Sequence, residues 1–184
     1  MKDTTYADIK ATGGLTMNEV KEVALQLKNT WNIVCKDSEG KIKWEENKKN
    51  IIVDVGLNDL LDKYLKGSSY TASWFVGIKA AGTAVAADTM SSHSSWAELV
   101  GYSQSNRPTL TLGTVASKSV DNSGSKATFS CNATATVAGA FLTSNNTKSG
   151  TSGTLYGVVD FGSTRSVISG DTLEVTVTLT AASA

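Results

Sequence analysis

Strict alternation of apolar and polar side chains near the C-terminus constrains the fold of this chain more than any other feature. Within residues 172–179 the odd positions hold leucine or valine, and the even positions hold threonine or glutamate. A period of two places all the apolar side chains on one face of a β-strand, whereas a helix would scatter them around its circumference. The segment therefore predicts a strand in a sheet with one buried face.

Similar strand patterns recur through the second part of the chain. Turn signals at residues 121–124 and 169–171 separate them, and the only proline, Pro108, precedes one of them. Repetition at these intervals predicts a mainly β protein, an antiparallel β-sandwich or barrel of jelly-roll or Ig-like type. The predicted strands are 73–80, 97–102, 109–116, 127–131, 134–143, 155–161 and 172–179.

Charge divides the chain into two parts. Positions 1–66 hold 22 of the 34 charged residues, and the 17 acidic and 17 basic side chains cancel. We predict a flexible arm at 1–15, a charged N-terminal segment at 16–67 and an antiparallel β domain at 68–184. A neutral chain lacks the global field that attracts nucleic acid or an anionic membrane, so neither is an expected partner.

The charged segment predicts a hairpin, a third strand at 51–55 and a short helix. Asp37 and Gly40 are good turn residues between strands at 30–36 and 41–45. After a break at Gly56, leucines and a tyrosine at helical spacing predict one short helix at 57–66. Asn58 is its expected N-cap, and Gly67 is its expected stop.

Residues 16–29 are compatible with two interpretations. Thr16 and Glu19 fit a capping box, and the apolar residues that follow lie at helical spacing. Alternation from Val23 to Cys35 fits a strand equally well. We favour a helix at 17–28 followed by the strand at 30–36.

The stretch DTMSSHSSW (88–96) contains serine, aspartate and the only histidine, His93, which are the residue types of a hydrolase triad. It lacks the G-x-S-x-G turn that presents a serine nucleophile. We therefore expect a polar loop in which His93 bonds a neighbour and Trp96 enters the core, and we expect no enzyme activity. Core or sheet packing is also the favoured role of the other tryptophans, Trp31, Trp44 and Trp74.

Ligand motifs for metals and cofactors are missing from the sequence. One histidine and two distant cysteines, Cys35 and Cys131, cannot supply a zinc site on their own, and no glycine loop has the context that cradles phosphate. We expect no metal and no cofactor. The start of the chain has no apolar core of a signal peptide, so both cysteines are expected to be buried free thiols.

Five blocks of sequence together resemble a group of tailed-bacteriophage virion structural proteins found among head and tail genes. The resemblance covers about residues 30–182. The blocks are TWNIVCKDSEGKIKWEENKKN (30–50), IIVDVGLNDLLDKYLKGSSYTASWFVGI (51–78), DTMSSHSSWAEL (88–99), TVAGAFLT (136–143) and SGDTLEVTVTLTAA (169–182).

The resemblance implies a structural component of the virion, present in the host cytoplasm during assembly. Its expected role is a capsid decoration (cement) protein that contacts the major capsid protein and copies of itself, as a homotrimer. Two alternatives stay open: a neck, tail or head-fibre component, and a carbohydrate- or receptor-binding module. The expected partner-interface residues are Tyr6, Ile9, Leu15, His93 and Trp96, with the first two as anchors of an arm that reaches an adjacent subunit.

Overall fold

The computed structural model describes residues 25–70 and 73–183, and within them the chain is a mainly β protein. Two antiparallel sheets pack as an open sandwich and do not close into a barrel, so the predicted fold class is confirmed. The strands are β1 (Leu25–Lys36), β2 (Ile42–Lys49), β3 (Ile51–Ile52), β4 (Phe75–Gly82), β5 (Trp96–Glu98), β6 (Ser119–Asp121), β7 (Ala127–Ser130), β8 (Ala135–Thr143), β9 (Leu155–Val167) and β10 (Thr172–Ser183).

Each sheet combines strands from distant parts of the sequence. The first sheet has the order β2-β1-β10-β6, and β7 also pairs with β10; the second has the order β3-β9-β8-β4-β5. In the first sheet, β1 and β10 pair along their whole lengths, with Leu25 opposite Ser183 and Lys36 opposite Thr172. The charged N-terminal segment thus supplies strands to both sheets.

The main core lies between the two sheets and follows the alternation read from the sequence. Leu173, Val175 and Val177 of β10 are fully buried, while the residues between them are partly exposed. They pack with inward-facing side chains of the second sheet such as Ile78 and Leu142. Burial of these apolar side chains is the main driving force for joining the sheets.

A second apolar cluster covers the outer face of the second sheet. Phe141 belongs to it, whereas its neighbours Ala140 and Leu142 belong to the main core, as the period of two requires. The second sheet is therefore buried on both faces along part of its length. The outer cluster consists of Val53, Ala84, Met90, Trp96, Phe141, Leu155 and Val158.

The helix begins earlier than predicted. It runs from Asp54 to Leu60 and continues as a π-helical turn, Leu61–Leu65. The predicted N-cap is wrong because Asn58 lies inside the helix; the N-cap is Val53, which makes no side-chain cap bond. Gly56 does not break the chain: a Cβ at this position would lie 2.3 Å from the Tyr156 carbonyl oxygen, so glycine permits close packing of the helix on β9.

Other predicted boundaries differ where strand pairing overrides local pattern. Residues 25–28 belong to β1, so the predicted helix is wrong there, and residues 17–24 lie outside the described part of the chain. The predicted strand at 51–55 keeps only two paired residues before the helix. The predicted strand at 109–116 is also wrong, because only Thr109 and Ala116 make isolated bridges.

The tight turn of the first hairpin is confirmed. The Asp37 side chain accepts hydrogen bonds from the backbone N–H groups of Glu39 (3.0 Å) and Lys41 (2.9 Å). Gly40 has a φ of +83°, a conformation that glycine adopts without strain. This turn aligns β1 and β2 and leaves β2 as a charged edge strand.

Candidate functional site

The loop between β4 and β5, which contains the DTMSSHSSW stretch, is a cover over the outer cluster. Trp96 is only 5% exposed, and its ring lies 5.2 Å from the Phe141 ring, centroid to centroid. Its indole N–H donates to Asp88 Oδ2 at 2.8 Å, and the same oxygen accepts the Val85 N–H at 2.9 Å. The aspartate thus satisfies the polar atom of a buried ring and ties the loop to itself.

His93 is engaged by the same tryptophan. Its ring stacks on Trp96 with centroids 4.0 Å apart, and Nδ1 lies 3.1 Å from the Trp96 carbonyl oxygen. Since a carbonyl only accepts, Nδ1 is the donor in this hydrogen bond. The hydrogen bonds of His93 and Asp88 therefore both lead to Trp96 and do not form a serine–histidine–aspartate relay.

Beneath this loop lies a buried lysine that the sequence reading did not single out. Lys79 of β4 has a fully buried side chain, and its ammonium lies 2.8 Å from Asp160 Oδ1 of β9. It also donates to the carbonyls of Ala81 and Gly82, so three acceptors surround the charge. The only signal in the sequence is a lysine inside the apolar strand SWFVGIKA (73–80), which predicts a paired charge rather than a solvated one.

A second buried charge, that of Arg107, contacts the outer cluster at Phe141. Arg107 binds Glu98 through two hydrogen bonds, Nε to Oε1 at 2.9 Å and Nη2 to Oε2 at 2.7 Å. It also donates to the carbonyls of Asn145 and Gly150, and its guanidinium lies 5.2 Å from the centre of the Phe141 ring. This pair joins the loop after β5 to the end of β5 and to the loop between β8 and β9, so its role in the fold is positional.

The two cysteines are free and buried, as predicted. Burial raises the pKa of the Cys35 thiol to about 12 and that of Cys131 to about 11, so both are protonated at neutral pH. Protonated buried thiols are weak nucleophiles and poor metal ligands. Among the residues that the structure describes, no group of three or more histidine, cysteine or acidic side chains is placed to hold a metal ion.

Exposed apolar side chains concentrate at the end of the helix. Tyr64, Leu65 and Tyr70 are 77%, 72% and 78% exposed, and we refer to them as the helix-end surface. Single exposed apolar residues are ordinary on proteins, but a group of large ones is typical of a surface that binds another molecule. The spacing of the leucines and the tyrosine predicts the helix but not this surface, because periodicity does not tell which apolar side chains a neighbour covers.

A pocket of about 230 Å³ adjoins the helix-end surface. Its wall includes Trp74 and Tyr156, whose rings meet edge to face at 5.4 Å, and its polar side chains include Asp59 and Lys63. A mainly apolar pocket with a few charged groups is suited to holding an apolar group of a partner. The remaining lining residues are Leu60, Tyr64, Tyr70, Leu110, Leu112, Leu142 and Leu179.

The structure separates the predicted interface residues into two groups. Tyr6, Ile9 and Leu15 lie outside the described residues. His93 is partly buried, and Trp96 points into the outer cluster, so the Trp96 ring is occupied within the chain. No helix in the described part of the chain is long and apolar enough to cross a membrane.

Comparison with known proteins gives no relative. No family model matches the chain, and neither a curated protein nor a solved structure matches it significantly.

Proposed function

We propose that this protein is a structural component of a tailed-phage virion, specifically a capsid decoration protein that binds the major capsid protein. Blocks of its sequence within residues 30–182 resemble tailed-phage virion structural proteins. A sandwich with both faces of one sheet covered is a compact unit suited to a particle surface. In this proposal it is not an enzyme, associates as a homotrimer, and is found in the virion and, during assembly, in the host cytoplasm.

The observation that carries this proposal is the helix-end surface. Tyr64, Leu65 and Tyr70 are large and mainly exposed, and the two tyrosines also line an apolar pocket. Tyrosine is among the residues that contribute most to protein–protein binding, and pockets beside such residues receive apolar anchors. The helix-end surface is therefore the proposed contact with a neighbouring virion protein.

The first experiment is to purify the phage particle and measure the ratio of this protein to the major capsid protein on a quantitative gel. A decoration protein is expected in a copy number comparable with that of the capsid protein. A few copies per particle would instead support the neck, tail or head-fibre alternative. Absence from the particle would overturn both.

The arm gives a second test of the capsid proposal. If Tyr6 and Ile9 anchor residues 1–15 on an adjacent subunit, deleting residues 2–14 should weaken binding to purified capsids. The melting temperature should stay unchanged, because residues 2–14 hold too few apolar side chains to contribute much to a core. Unchanged occupancy on capsids would show that the arm does not contribute to attachment.

A carbohydrate- or receptor-binding module is the second candidate, and the aromatic lining of the pocket favours it. Trp74, Tyr64 and Tyr70 could stack on the apolar face of a sugar ring, and Asp59 and Lys63 could bond its hydroxyls. Binding on a glycan array that is lost in Trp74→Ala and retained in His93→Ala would support this candidate. Failure to bind any glycan would leave the protein-binding role.

A further inference from the structure

The buried lysine of β4 reaches its carboxylate by crossing a strand. Lys79 lies opposite Gly139 of β8, and Gly139 lies opposite Asp160 of β9, so β8 runs between the two charged residues. A Cβ at Gly139 would lie 3.1 Å from Lys79 Cε and 2.0 Å from the Val159 carbonyl oxygen. The glycine therefore leaves the space through which the lysine side chain passes over β8 to Asp160.

Lys79 differs from the other lysines that form ion pairs in this chain. Its side chain is fully buried, whereas each of the other lysines whose ion pairs the structure describes has a side chain that is at least 27% exposed. Burial removes the hydration that stabilises an ammonium ion. Proton transfer to Asp160 would leave a neutral amine beside a neutral carboxylic acid, which an enclosed site accommodates at a smaller cost than two charges.

The acceptors around Lys79 Nζ would orient such a neutral amine toward Asp160. Nζ donates to the carbonyl oxygens of Ala81 and Gly82. A neutral amine has two N–H groups, so with both of them occupied its lone pair faces the third neighbour. That neighbour is Asp160 Oδ1, which is shielded from water and receives no aligned hydrogen bond from the described residues, although Nζ lies 2.8 Å away.

We propose that Lys79 and Asp160 join through an amide bond, which cross-links β4 to β9. Asp160 Oδ1 first takes one proton from Nζ. The lysine nitrogen then bonds to Asp160 Cγ, the Cγ–Oδ1 bond breaks, and Oδ1 leaves as water with a second proton from the nitrogen. Nothing is oxidised or reduced, and the nitrogen keeps one hydrogen as the amide N–H.

The surroundings of Asp160 favour this step. The Ala84 N–H donates to Asp160 Oδ2 at 2.8 Å and would stabilise the negative charge that develops on this oxygen during the attack. The fold holds the amine and the carboxyl group in contact, so the reaction needs no encounter. The Asp160 side chain is 27% exposed, which gives the water a way out. The product is neutral, and the cross-link does not require that the protein be part of a virion.

The mass of the native full-length protein tests the cross-link. After denaturation it should be lower than the mass of the sequence, calculated with or without Met1, by one water molecule. A tryptic digest should contain the peptides around Lys79 and Asp160 joined to each other, with no cleavage after Lys79. Lys79→Met and Asp160→Ala should have their full sequence masses. Lys126→Met is the matched control: Lys126 lies 2.9 Å from Glu174 but is 40% exposed, so this variant should keep the loss of water.

A full sequence mass in the native protein would overturn the proposal, whether or not any variant folds. Loss of water with the two peptides separate would also overturn it, because a succinimide ring at Asp160 loses the same water without a cross-link. A full mass in Lys126→Met would place the water loss at another pair and contradict the assignment. As a second readout, the closed loop should make the native protein migrate faster than Lys79→Met on a reducing, denaturing gel, and equal migration would contradict a covalent link.

Discussion

The loop at residues 83–95 and the end of the helix at residues 61–70 differ in a way that reverses their appearance in the sequence. The loop is rich in serine and holds histidine and aspartate, yet it directs Asp88 and His93 to one buried tryptophan. The helix end is rich in leucine and tyrosine, yet it leaves them exposed. Residue types that are typical of chemistry serve packing here, and residue types that are typical of packing form the open surface.

The physical reason is a difference in free-energy cost. A polar group that a loop buries needs a hydrogen-bond partner, whereas an apolar group on the surface can stay exposed to water at a smaller cost. Burying the Trp96 indole N–H without a partner would cost free energy, and Asp88 supplies its acceptor. Exposed leucine and tyrosine cost less, and they persist where another molecule covers them. The contrast predicts that the loop controls stability and that the helix end controls association.

The largest expected effect is the loss of the tryptophan that the loop covers. Trp96→Ala removes a buried ring that packs on Phe141, and it should lower the free energy of unfolding by about 3–5 kcal/mol. Urea denaturation followed by circular dichroism measures it. Tyr64→Ala at the exposed helix end should change stability by only about 0.5 kcal/mol. Similar losses of unfolding free energy in Trp96→Ala and Tyr64→Ala would contradict the claim that the loop, and not the helix end, controls stability.

The next effect concerns the ion pair beneath the loop. Asp160→Ala leaves the fully buried Lys79 ammonium without its carboxylate and should cost about 3 kcal/mol of stability. Lys79→Met is the matched variant and should cost less, because it fills similar volume and leaves Asp160 partly exposed to water. The same denaturation assay ranks them; a larger loss in Lys79→Met would contradict the claim that the unpaired buried ammonium is the costlier charge.

A smaller effect is expected at the aspartate of the loop. Asp88→Ala leaves the Trp96 N–H and the Val85 N–H without their acceptor, which should cost about 2 kcal/mol. Asp88→Asn keeps one acceptor oxygen and should recover part of that loss. Hydrogen exchange at Val85 should quicken in Asp88→Ala. If exchange there stays slow, the carboxylate does not hold the loop.

The smallest expected change in stability within the loop is that of replacing His93. His93→Ala removes a ring stacked on Trp96 and one hydrogen bond, and it should cost about 1 kcal/mol or less. The variant should remain folded and assemble normally. An esterase activity that is present in the native protein and absent from His93→Ala would show that the loop has a chemical role after all.

Sequence reasoning succeeded where a short pattern determines local structure. The alternation of β10 and the turn at Asp37 are decided by neighbouring residues, and the structure confirms both. Residues 25–28 fit two periods, and only pairing with β10 at the opposite end of the chain makes them a strand. Gly56 was misread because its reason is the nearby Tyr156 carbonyl, which no local pattern reveals.

The candidate site was less predictable than the fold. The sequence shows that Lys79 is a charged residue within an apolar strand, but it does not show which residues pair with Lys79 or Arg107. Their partners, Asp160 and Glu98, lie on other strands. The apolar face of the helix follows from the sequence, but the sequence does not show how much of that face the sheets cover. The helix-end surface therefore became visible only once the sandwich was assembled.

The most direct test is a capsid-occupancy measurement that compares the two regions in one experiment. Tyr64→Ser with Leu65→Ser should leave the melting temperature near that of the native protein and strongly reduce the amount of protein bound to purified capsids. His93→Ala should bind like the native protein. Native occupancy of the helix-end variant, together with loss of binding in His93→Ala, would contradict the assignment of association to the helix end.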